Sequence, residues 1–582
     1  MSLFILSVFS LITVVVDATL GSTHASCRNI PGDAGWPAPS AWNQLNQTLD
    51  GRLIATIPLA HVCHEPTYSG TECTNLQHAW DTPEIMIPQP AEFMASWFQN
   101  QSCTPFTDES TQCELGNYAS YSINVSSPSD VVSGLAFAQE QNIRLVIKNT
   151  GHDFYGKSTG KGALSLWVHN LDSKQIIPSY NSSHYNGPAV KIGAGVSGGD
   201  AAAFASQHGY RIVAGSCPTV ALAGGYTQGG GHSYLTGLYG FGADNVLEWE
   251  VVTTDGKHVV ATPTQNSDLY WALSGGGGGT YGFVISMTSR VFPDGQIAIS
   301  TMTFNVTTAG GVEEFWDAVK VFHTYLQPLV DDHGMVAEYL ISNETLDLFG
   351  MMAPGFTRAS LTQAMDPMIA ALSKNVSGGL TAEKVNLTVA DGDGYYNLYA
   401  AIVEPLTLQD TIPPVNGGRF VSRENMAANA SAVNAALRAA TANGAFTVAV
   451  TALNSEGPSR AVPAIADNAM QPAFKDAFMS VIITADWSWE NSWAEAAVLQ
   501  DEFINVVLPN LEAATPNAAA YNNEANWQQP EWQQNFYGST YDRLLSIKHT
   551  YDPNGTLYGL TAVGSEAWSQ DADGRLCPSG AV

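Results

Sequence analysis

Short β-like runs alternate with helical segments over residues 115–295. Residues 118–125 and 144–148 are predicted strands, and Asp130 is predicted to cap the amphipathic helix between them. The alternation continues in further short elements: predicted strands at 190–192, 211–213 and 282–291, predicted helices at 200–208 and 268–273, and a predicted hairpin of 246–252 with 258–261. This pattern predicts a mixed α/β region.

Longer elements follow the mixed region. Residues 312–329 and 427–441 have helical apolar spacing, and the glycine-rich loops of the earlier region do not recur here. After about residue 515 the chain becomes aromatic-rich and returns to short elements. The predicted divisions are a signal peptide at 1–25, an N-terminal disulfide-containing segment at 26–114, a first domain at 115–295, a second domain at 296–515 and a returning C-terminal segment at 516–582.

The N-terminus predicts secretion. Residues 3–16 form an apolar run that is too short to span a bilayer but suits the hydrophobic part of a signal peptide. Small residues follow at Ala18, Gly21 and Ala25, which gives a cleavage site. The alternative is a buried N-terminal core helix. No later segment is apolar enough to predict a membrane anchor.

The composition narrows the possible partners. The chain has 23 basic and 53 acidic residues and a net charge of −30, so it repels phosphate backbones and anionic membrane surfaces. We therefore expect no nucleic-acid or membrane partner. Glycosylation acceptors fit secretion, and the acidic, glycosylated surface predicts a monomer; the acceptors are Asn46, Asn100, Asn124, Asn181, Asn305, Asn343, Asn375, Asn386, Asn429 and Asn554.

Seven cysteines leave one unpaired in an oxidising compartment. Their positions predict three pairs: Cys63 with Cys73, Cys103 with Cys113, and Cys27 with Cys577. Cys217 remains, either as a small buried apolar residue or as a reserved reactive thiol. His61 and His64 flank Cys63 with metal-like spacing, but disulfide pairing competes for that cysteine, so no metal site is predicted.

Three glycine clusters indicate chemistry. They are the loop around Gly151 and Gly156, the stretch Gly224-Gly225 to Gly229-Gly230-Gly231, and the run from Gly275 to Gly279. Residues without Cβ let the backbone approach an anionic pyrophosphate and present N–H groups to it. Neither a Walker A ending nor a G-x-G-x-x-G motif opening a helix is present, which disfavours nucleotide hydrolysis and a Rossmann fold. A structural turn is the alternative for each cluster taken alone.

Several segments form a joint pattern: Asn149-Thr150-Gly151-His152-Asp153 after a strand, Cys217-Pro218-Thr219-Val220 before the second cluster, Asp244-Asn245-Val246, residues 268–279, Tyr521-x-Asn523-Glu524, and residues 541–553. The pattern resembles the berberine-bridge-enzyme-like FAD-linked oxidoreductases of the vanillyl-alcohol-oxidase superfamily, and within them a secreted fungal subgroup described as isoamyl-alcohol-oxidase-like. The resemblance implies an α+β fold. It comprises a p-cresol-methylhydroxylase-type FAD-binding domain of two subdomains and a substrate domain with an antiparallel sheet and covering helices.

The resemblance also implies a bicovalent FAD. His152 matches the histidine bonded to the flavin 8α-methyl group, and Cys217 matches the cysteine bonded to the flavin C6. Val220 matches a position that leaves oxygen access to the flavin, which favours an oxidase. The further expected cofactor contacts are Asn149, Thr150, Gly151, Asp153, Gly156, Ser158, Thr219, Gly224, Gly225, Gly229, Gly230, His232, Asp244, Asn245, Val246, Gly279, Gly282 and Val284.

The implied reaction is hydride transfer from a small alcohol or specialised metabolite to the flavin, which O₂ then reoxidises to give H₂O₂. Tyr521 and Asn523 are the expected catalytic residues beside the flavin. Tyr396 and Glu404 are candidates from the substrate domain, with strand packing in the core as the alternative. The alternative functions are oxidation of a carbohydrate at its anomeric carbon, oxidative cyclisation or desaturation in a biosynthetic pathway, and a non-enzymatic secreted protein with a vestigial flavin.

Overall fold

The computed structural model describes residues 27–407 and 412–579. The predicted signal peptide at 1–25 lies outside these residues. Within the described ranges, no helix has the length and apolar character needed to cross a bilayer. Three sheets organise the chain, and the first two precede the third in sequence.

The four-stranded sheet supports the first glycine-rich loop. Its strands lie in the spatial order Leu53–Ala55, Tyr121–Asn124, Leu164–Trp167 and Leu145–Lys148. The last three are parallel, and the helix Pro128–Glu140 provides the crossover that parallel strands require. Ser127 is the N-cap residue, and the carboxylate of Asp130 accepts its N–H at 3.1 Å. Asp130 therefore completes a capping box from inside the helix and is not the cap itself.

The five-stranded sheet is antiparallel throughout. Its strands lie in the order Lys174–Asn181, Asn186–Gly193, Phe283–Arg290, Val246–Val252 and His258–Ala261. The predicted hairpin is confirmed, with Trp249 opposite Ala261 and Val252 opposite His258. The predicted strand at 211–213 is shorter than expected and pairs as Tyr210–Arg211 with Phe292–Pro293.

The seven-stranded sheet is the third of these sheets. Its antiparallel strands lie in the order Thr388–Asp393, Gln296–Asn305, Thr345–Pro354, Val336–Ile341, Phe446–Ala452, Ala477–Ala485 and Asn416–Ser422. Three long helices cover it, Val312–His333, Arg358–Asn375 and Arg423–Thr441, together with the short helix Leu508–Ala514. Buried side chains such as Phe322, Leu326 and Leu437 join these helices to the sheet in one apolar core. The predicted antiparallel sheet with covering helices is confirmed.

Short helical segments and one further strand pair complete the structure. The α-helices are Pro39–Thr48, Gly70–Ala79, Pro83–Met86, Ser96–Gln99, Gly198–Gln207, Thr227–Gly229, Thr236–Tyr239, Ser267–Leu273, Val306–Ala309, Tyr395–Leu398, Glu404–Thr407, Pro472–Asp476, Trp493–Glu502, Trp532–Phe536 and Tyr541–Tyr551. Tighter or wider helical turns are Leu59–Cys63, Leu222–Tyr226, Ala243–Asn245, Tyr399–Val403, Phe503–Val507, Gly538–Thr540 and Ser565–Ala567. The final strand pair is Trp568–Gln570 with Leu576–Pro578. The exact domain boundaries remain a prediction.

The three predicted disulfides are confirmed. They join Cys27 to Cys577, Cys63 to Cys73, and Cys103 to Cys113. The first closes a separation of 550 residues and ties the C-terminal segment to the start of the described chain. Cys217 carries a free thiol.

A buried ammonium group fixes the returning C-terminal segment. Lys548 Nζ lies 2.6 Å from the carboxylate of Asp552, and it also donates to the carbonyls of Thr280 at 2.8 Å and Leu557 at 2.6 Å. Because Thr280 follows the third glycine cluster, this one side chain links that cluster to the helix Tyr541–Tyr551.

We expect Lys548→Met to lower the free energy of unfolding by about 3–5 kcal/mol, because it leaves the buried Asp552 carboxylate without its cation. The matched control is Lys320→Met, which removes an exposed ion pair with Asp317 and should cost at most about 1 kcal/mol. Urea unfolding followed by circular dichroism measures both. Equal shifts in the two variants would contradict a structural role for Lys548.

Candidate functional site

A cavity of about 580 Å³ lies where the glycine-rich loops meet the seven-stranded sheet. Its walls combine residues from all three predicted glycine clusters with residues from the C-terminal segment. The predicted site residues that line it are Asn149, Thr150, Gly151, His152, Asp153, Ser158, Cys217, Val220, Gly224, Gly225, His232, Gly279, Gly282, Val284, Tyr521 and Asn523. The structure therefore gathers most of the predicted site around one space.

His152 and Cys217 converge on one hydroxyl group. The Oγ1 atom of Thr219 lies 2.7 Å from His152 Nε2 and 3.4 Å from Cys217 Sγ. Burial, followed by the nearby Lys148 ammonium, lowers the pKa of His152 to about 4, so its imidazole is neutral at physiological pH. Burial also raises the pKa of the Cys217 thiol. Among the described residues, Thr219 is not part of the cavity lining. Its hydroxyl group contacts both His152 and Cys217.

The first glycine loop is held by its own polar side chains. The carboxylate of Asp153 accepts the N–H groups of Lys157 at 2.5 Å and Ser158 at 3.0 Å. Asn149 Nδ2 donates to the carbonyl of Ala194 at 2.6 Å. Gly151 has a φ of +87°, and a Cβ there would lie 3.1 Å from the backbone of Phe93, so this position favours glycine. The loop therefore has a fixed shape before it meets any ligand.

The second and third clusters leave room for a flat group. A Cβ on Gly225 or on Gly279 would have no atom within 4 Å, although both residues line the cavity. Gly229 and Gly230 lie behind this surface, where they pack against Asn523 and Met470 respectively. The clusters thus divide into glycines that face the cavity and glycines that admit neighbouring chain segments.

Several predicted residues fix the surroundings of the cavity instead of lining it. Asp244 binds Arg460 and Asn468 through its carboxylate, and Asn245 donates to the carbonyls of Tyr239 and Phe241. Val246 starts the hairpin and accepts the hydroxyl of Tyr270. Gly156 has a φ of +66° and packs against Phe98. Among the described residues, these positions contribute to the shape of the site through hydrogen bonds and packing.

Tyr396 and Glu404 lie away from the cavity within the part of the chain that the structure describes. Tyr396 packs beside Tyr399 at a ring-centroid distance of 6.2 Å. Burial, followed by the carboxylate of Asp200, raises the pKa of Glu404. The two residues occur in helical turns after the strand Thr388–Asp393 and are only partly buried, so they do not belong to a core strand, and their catalytic role stays a prediction.

Other lining residues were not predicted. Ile412, Pro413, Ala449 and Ile482 form an apolar wall, and Glu524 and Gln228 add polar groups; further lining residues are Lys157, Asn416 and Thr484. Glu524 belongs to the motif Tyr521-x-Asn523-Glu524, and this motif was the feature of the sequence that could have identified it. The strand residues had none, because alternation within a buried strand does not identify the face that meets a ligand.

Unsatisfied acceptors test whether the cavity suits a polar planar ligand. Within the described ranges, Asn149 Oδ1, Gln228 Oε1, Asn416 Oδ1 and Glu524 Oε2 are buried and have no hydrogen-bond partner. Buried acceptors are normally paired, so these four atoms fit a ligand that carries N–H or O–H donors. Together with the open space at Gly225 and Gly279, they fit a flavin ring system.

The comparisons agree with this geometry. A family model described as "FAD binding domain" matches residues 119–262, and one described as "Berberine and berberine like" matches residues 520–558. The chain is 42% identical over 579 residues to a VAO-type flavoprotein oxidase, VAO615, of Thermothelomyces thermophilus, which covers 98% of this chain and 99% of that protein. The chain belongs to the VAO-type, berberine-bridge-enzyme-like FAD-linked oxidoreductases.

Two further similarities complete the comparison. A bifunctional decalin synthase of Penicillium decumbens, calF, is 42% identical over 95% of this chain and 96% of its own length. The crystal structure of VAO-type flavoprotein MtVAO615 from Myceliophthora thermophila C1 superimposes with a TM-score of 0.90 over 95% of this chain and 100% of that chain. The protein is therefore an FAD-linked oxidoreductase with the expected α+β, p-cresol-methylhydroxylase-type architecture.

We expect Gly225→Leu to lose bound flavin while the chain still folds. The new side chain meets no protein atom within 4 Å of its Cβ but projects into the space that the flavin needs. Gly295→Leu is the matched control, because a Cβ there also has no neighbour within 4 Å. Visible flavin absorbance and far-ultraviolet circular dichroism are the measurements. Full flavin content in Gly225→Leu would contradict this placement.

Proposed function

We propose that this protein holds FAD through two covalent bonds, one from His152 to the flavin 8α-methyl group and one from Cys217 to the flavin C6. The observation that carries the proposal is the convergence of both side chains on Thr219 Oγ1 at the wall of a single cavity. Since Nε2 of His152 contacts Thr219, Nδ1 is the ring nitrogen proposed for the bond. A neutral imidazole has the lone pair that such a bond requires, as its pKa of about 4 provides.

Other predicted site residues are proposed to support the bound cofactor. The backbone of the loop containing Gly151 and Asp153 and the open positions Gly225 and Gly279 accommodate the cofactor, and Val220 faces the same cavity. When bound, FAD supplies a two-electron acceptor for a hydride from the substrate. We propose O₂ as the final electron acceptor, with H₂O₂ as its product.

The substrate is proposed to be a small apolar alcohol or an apolar specialised metabolite. The wall contributed by the seven-stranded sheet and the segment before it presents four apolar residues, Ile412, Pro413, Ala449 and Ile482, and two polar ones, Asn416 and Thr484. A sugar needs many hydrogen-bond partners, whereas an apolar wall favours hydrocarbon surface. This argues against the carbohydrate alternative. The similarity to a decalin synthase keeps oxidative cyclisation in a biosynthetic pathway as a variant of the same proposal.

The proposed location is outside the cell. Three disulfides form and persist in oxidising compartments, and the chain uses six of its seven cysteines in them. We propose that the mature protein is a glycosylated monomer.

Mass spectrometry of tryptic peptides tests the two bonds. We expect a flavin mass that joins the peptide containing His152 to the peptide containing Cys217, and no release of flavin when the protein is precipitated with acid. His152→Ala and Cys217→Ser should each retain flavin through the remaining bond, and the double variant should release it. A control variant, Cys63→Ser with Cys73→Ser, removes a disulfide whose cysteines do not line the cavity and should leave both flavin bonds intact. Unmodified peptides in the wild type would contradict the proposal.

Peroxide release tests the substrate class. We expect higher kcat/KM for 3-methylbutan-1-ol and benzyl alcohol than for glucose or cellobiose, because the wall at Ile482 and Ala449 is apolar. Ile482→Asn should reduce kcat/KM for the alcohols by about 10-fold, since it places an amide against their hydrocarbon surface. Val498→Asn, at an exposed position, is the control. Preferential turnover of the sugars would support the carbohydrate alternative instead.

A further inference from the structure

A buried histidine lies between two glutamates beside the cavity. His232 Nε2 is 2.7 Å from Glu524 Oε1, and His232 Nδ1 is 3.9 Å from Glu338 Oε1. Glu338 is only 3% exposed and comes from the strand Val336–Ile341, at a point where the pairing register shifts. His232 directly follows the second glycine cluster, so the three side chains connect both domains.

The carboxylate of Glu524 has a fixed place in this arrangement. The neighbouring Ala525 N–H donates to the hydroxyl of Tyr155 at 2.9 Å, and Asn523 Nδ2 donates to the carbonyl of Gly225 at 2.8 Å. Glu524 lines the cavity, and its Oε2 is buried without a hydrogen-bond partner among the described residues. One carboxylate oxygen is thus bound by His232, while the other is available to a ligand.

Tyr521 is less suited than Glu524 to accept a proton. Its hydroxyl oxygen accepts the Gly231 N–H at 3.1 Å and Asn523 Nδ2 at 2.9 Å, which orients its own O–H as a donor. Burial, followed by the charge of Glu524, raises the pKa of Tyr521. A phenol with a raised pKa stays protonated near neutral pH.

We propose that Glu524 is the catalytic base for substrate oxidation, and that His232, which lies between Glu524 and Glu338, is a positioning residue that orients and stabilises its carboxylate. This proposal rests on the proposed function. The substrate O–H proton moves to Glu524, the C–H hydrogen leaves with its electron pair to the flavin, and a C=O bond forms. The substrate thereby loses two electrons and two hydrogens, and the flavin is the oxidant.

The charges around Glu524 set the direction of its pH dependence. Burial alone would lower the pKa of His232, but the carboxylates of Glu524 and Glu338 outweigh it and raise that pKa to about 9. His232 is therefore a cation near neutral pH, and its Nε2 lies against the carboxylate of Glu524. The other titratable groups that interact with this cluster are Tyr155, Tyr226, Tyr234, Tyr395, Tyr399 and Tyr521.

Anaerobic flavin reduction tests the base. In the wild type, the rate with 3-methylbutan-1-ol or benzyl alcohol should fall as the pH falls, as it does for a reaction that needs a general base. Glu524→Gln should slow reduction by about 10²–10⁴-fold and remove this acid limb, and Glu524→Asp should restore part of the rate. His232→Asn should move the acid limb to higher pH, because the carboxylate loses its cationic partner.

Controls separate this proposal from the function on which it rests. Glu248→Gln changes a half-buried glutamate on the strand Val246–Val252 that does not line the cavity, and its rate and pH profile should match the wild type. Covalent flavin content and reduction by dithionite should be unchanged in every variant. If Glu524→Gln does not retain flavin, the acid-limb shift in His232→Asn decides the question.

The possible outcomes are distinct. Wild-type flavin that dithionite reduces but no member of the alcohol and sugar panel reduces would overturn the proposed function and the base with it. Reduction of the wild type by a panel member, together with an unslowed Glu524→Gln, would overturn the base alone. An acid limb that stays in place in His232→Asn would overturn the positioning role of His232.

Discussion

The contact of two reactive side chains with one threonine hydroxyl is the constraint on which the site depends. His152 comes from the loop after a strand of the four-stranded sheet, and Cys217 comes from the loop after Tyr210–Arg211. Thr219 Oγ1 lies within hydrogen-bonding reach of both. Because the two groups come from separate parts of the fold, their common neighbour fixes the distance between them. Two covalent bonds to one rigid ring would tolerate little variation in that distance.

The returning C-terminal segment provides the second constraint. It touches each glycine-rich cluster: Ala525 reaches Tyr155 in the first loop, Asn523 reaches Gly225 in the second, and Lys548 reaches Thr280 after the third. The disulfide from Cys577 to Cys27 then ties its end to the N-terminal region. The cavity is therefore complete only when the last part of the chain has docked, which makes its shape a property of the whole fold.

Local sequence patterns were sufficient to predict the glycine-rich loops but not the residues of the apolar cavity wall. The glycine clusters marked the loops, whose shape depends on nearby residues and on backbone conformation, and the resemblance to a known family together with the odd cysteine count singled out His152 and Cys217 within them. Tyr396 and Glu404 belong to an aromatic and acidic cluster in the sequence, which made them candidate catalytic residues. Sequence proximity, however, does not tell which side of a helical turn faces a ligand. Ile482 was not predicted for a related reason. It lies on the strand Ala477–Ala485, whose residues are buried on both faces of the sheet, so the pattern does not show which face meets a ligand. Contacts between distant segments decide both cases.

The charged groups at the cavity also limit which substrates can bind there. Glu524 and Glu338 bracket the single imidazole of His232, so carboxyl groups outnumber basic groups within this cluster of three side chains. The apolar side chains of Ile412 and Ile482 occupy the same cavity wall and offer no compensation to an anion. An anionic substrate would meet repulsion at the carboxylate and lose hydration at the wall, and both effects are stronger in a buried site than in water. A neutral, largely apolar molecule with one hydroxyl group avoids both costs, because its hydroxyl can donate to Glu524 while its hydrocarbon part contacts the wall.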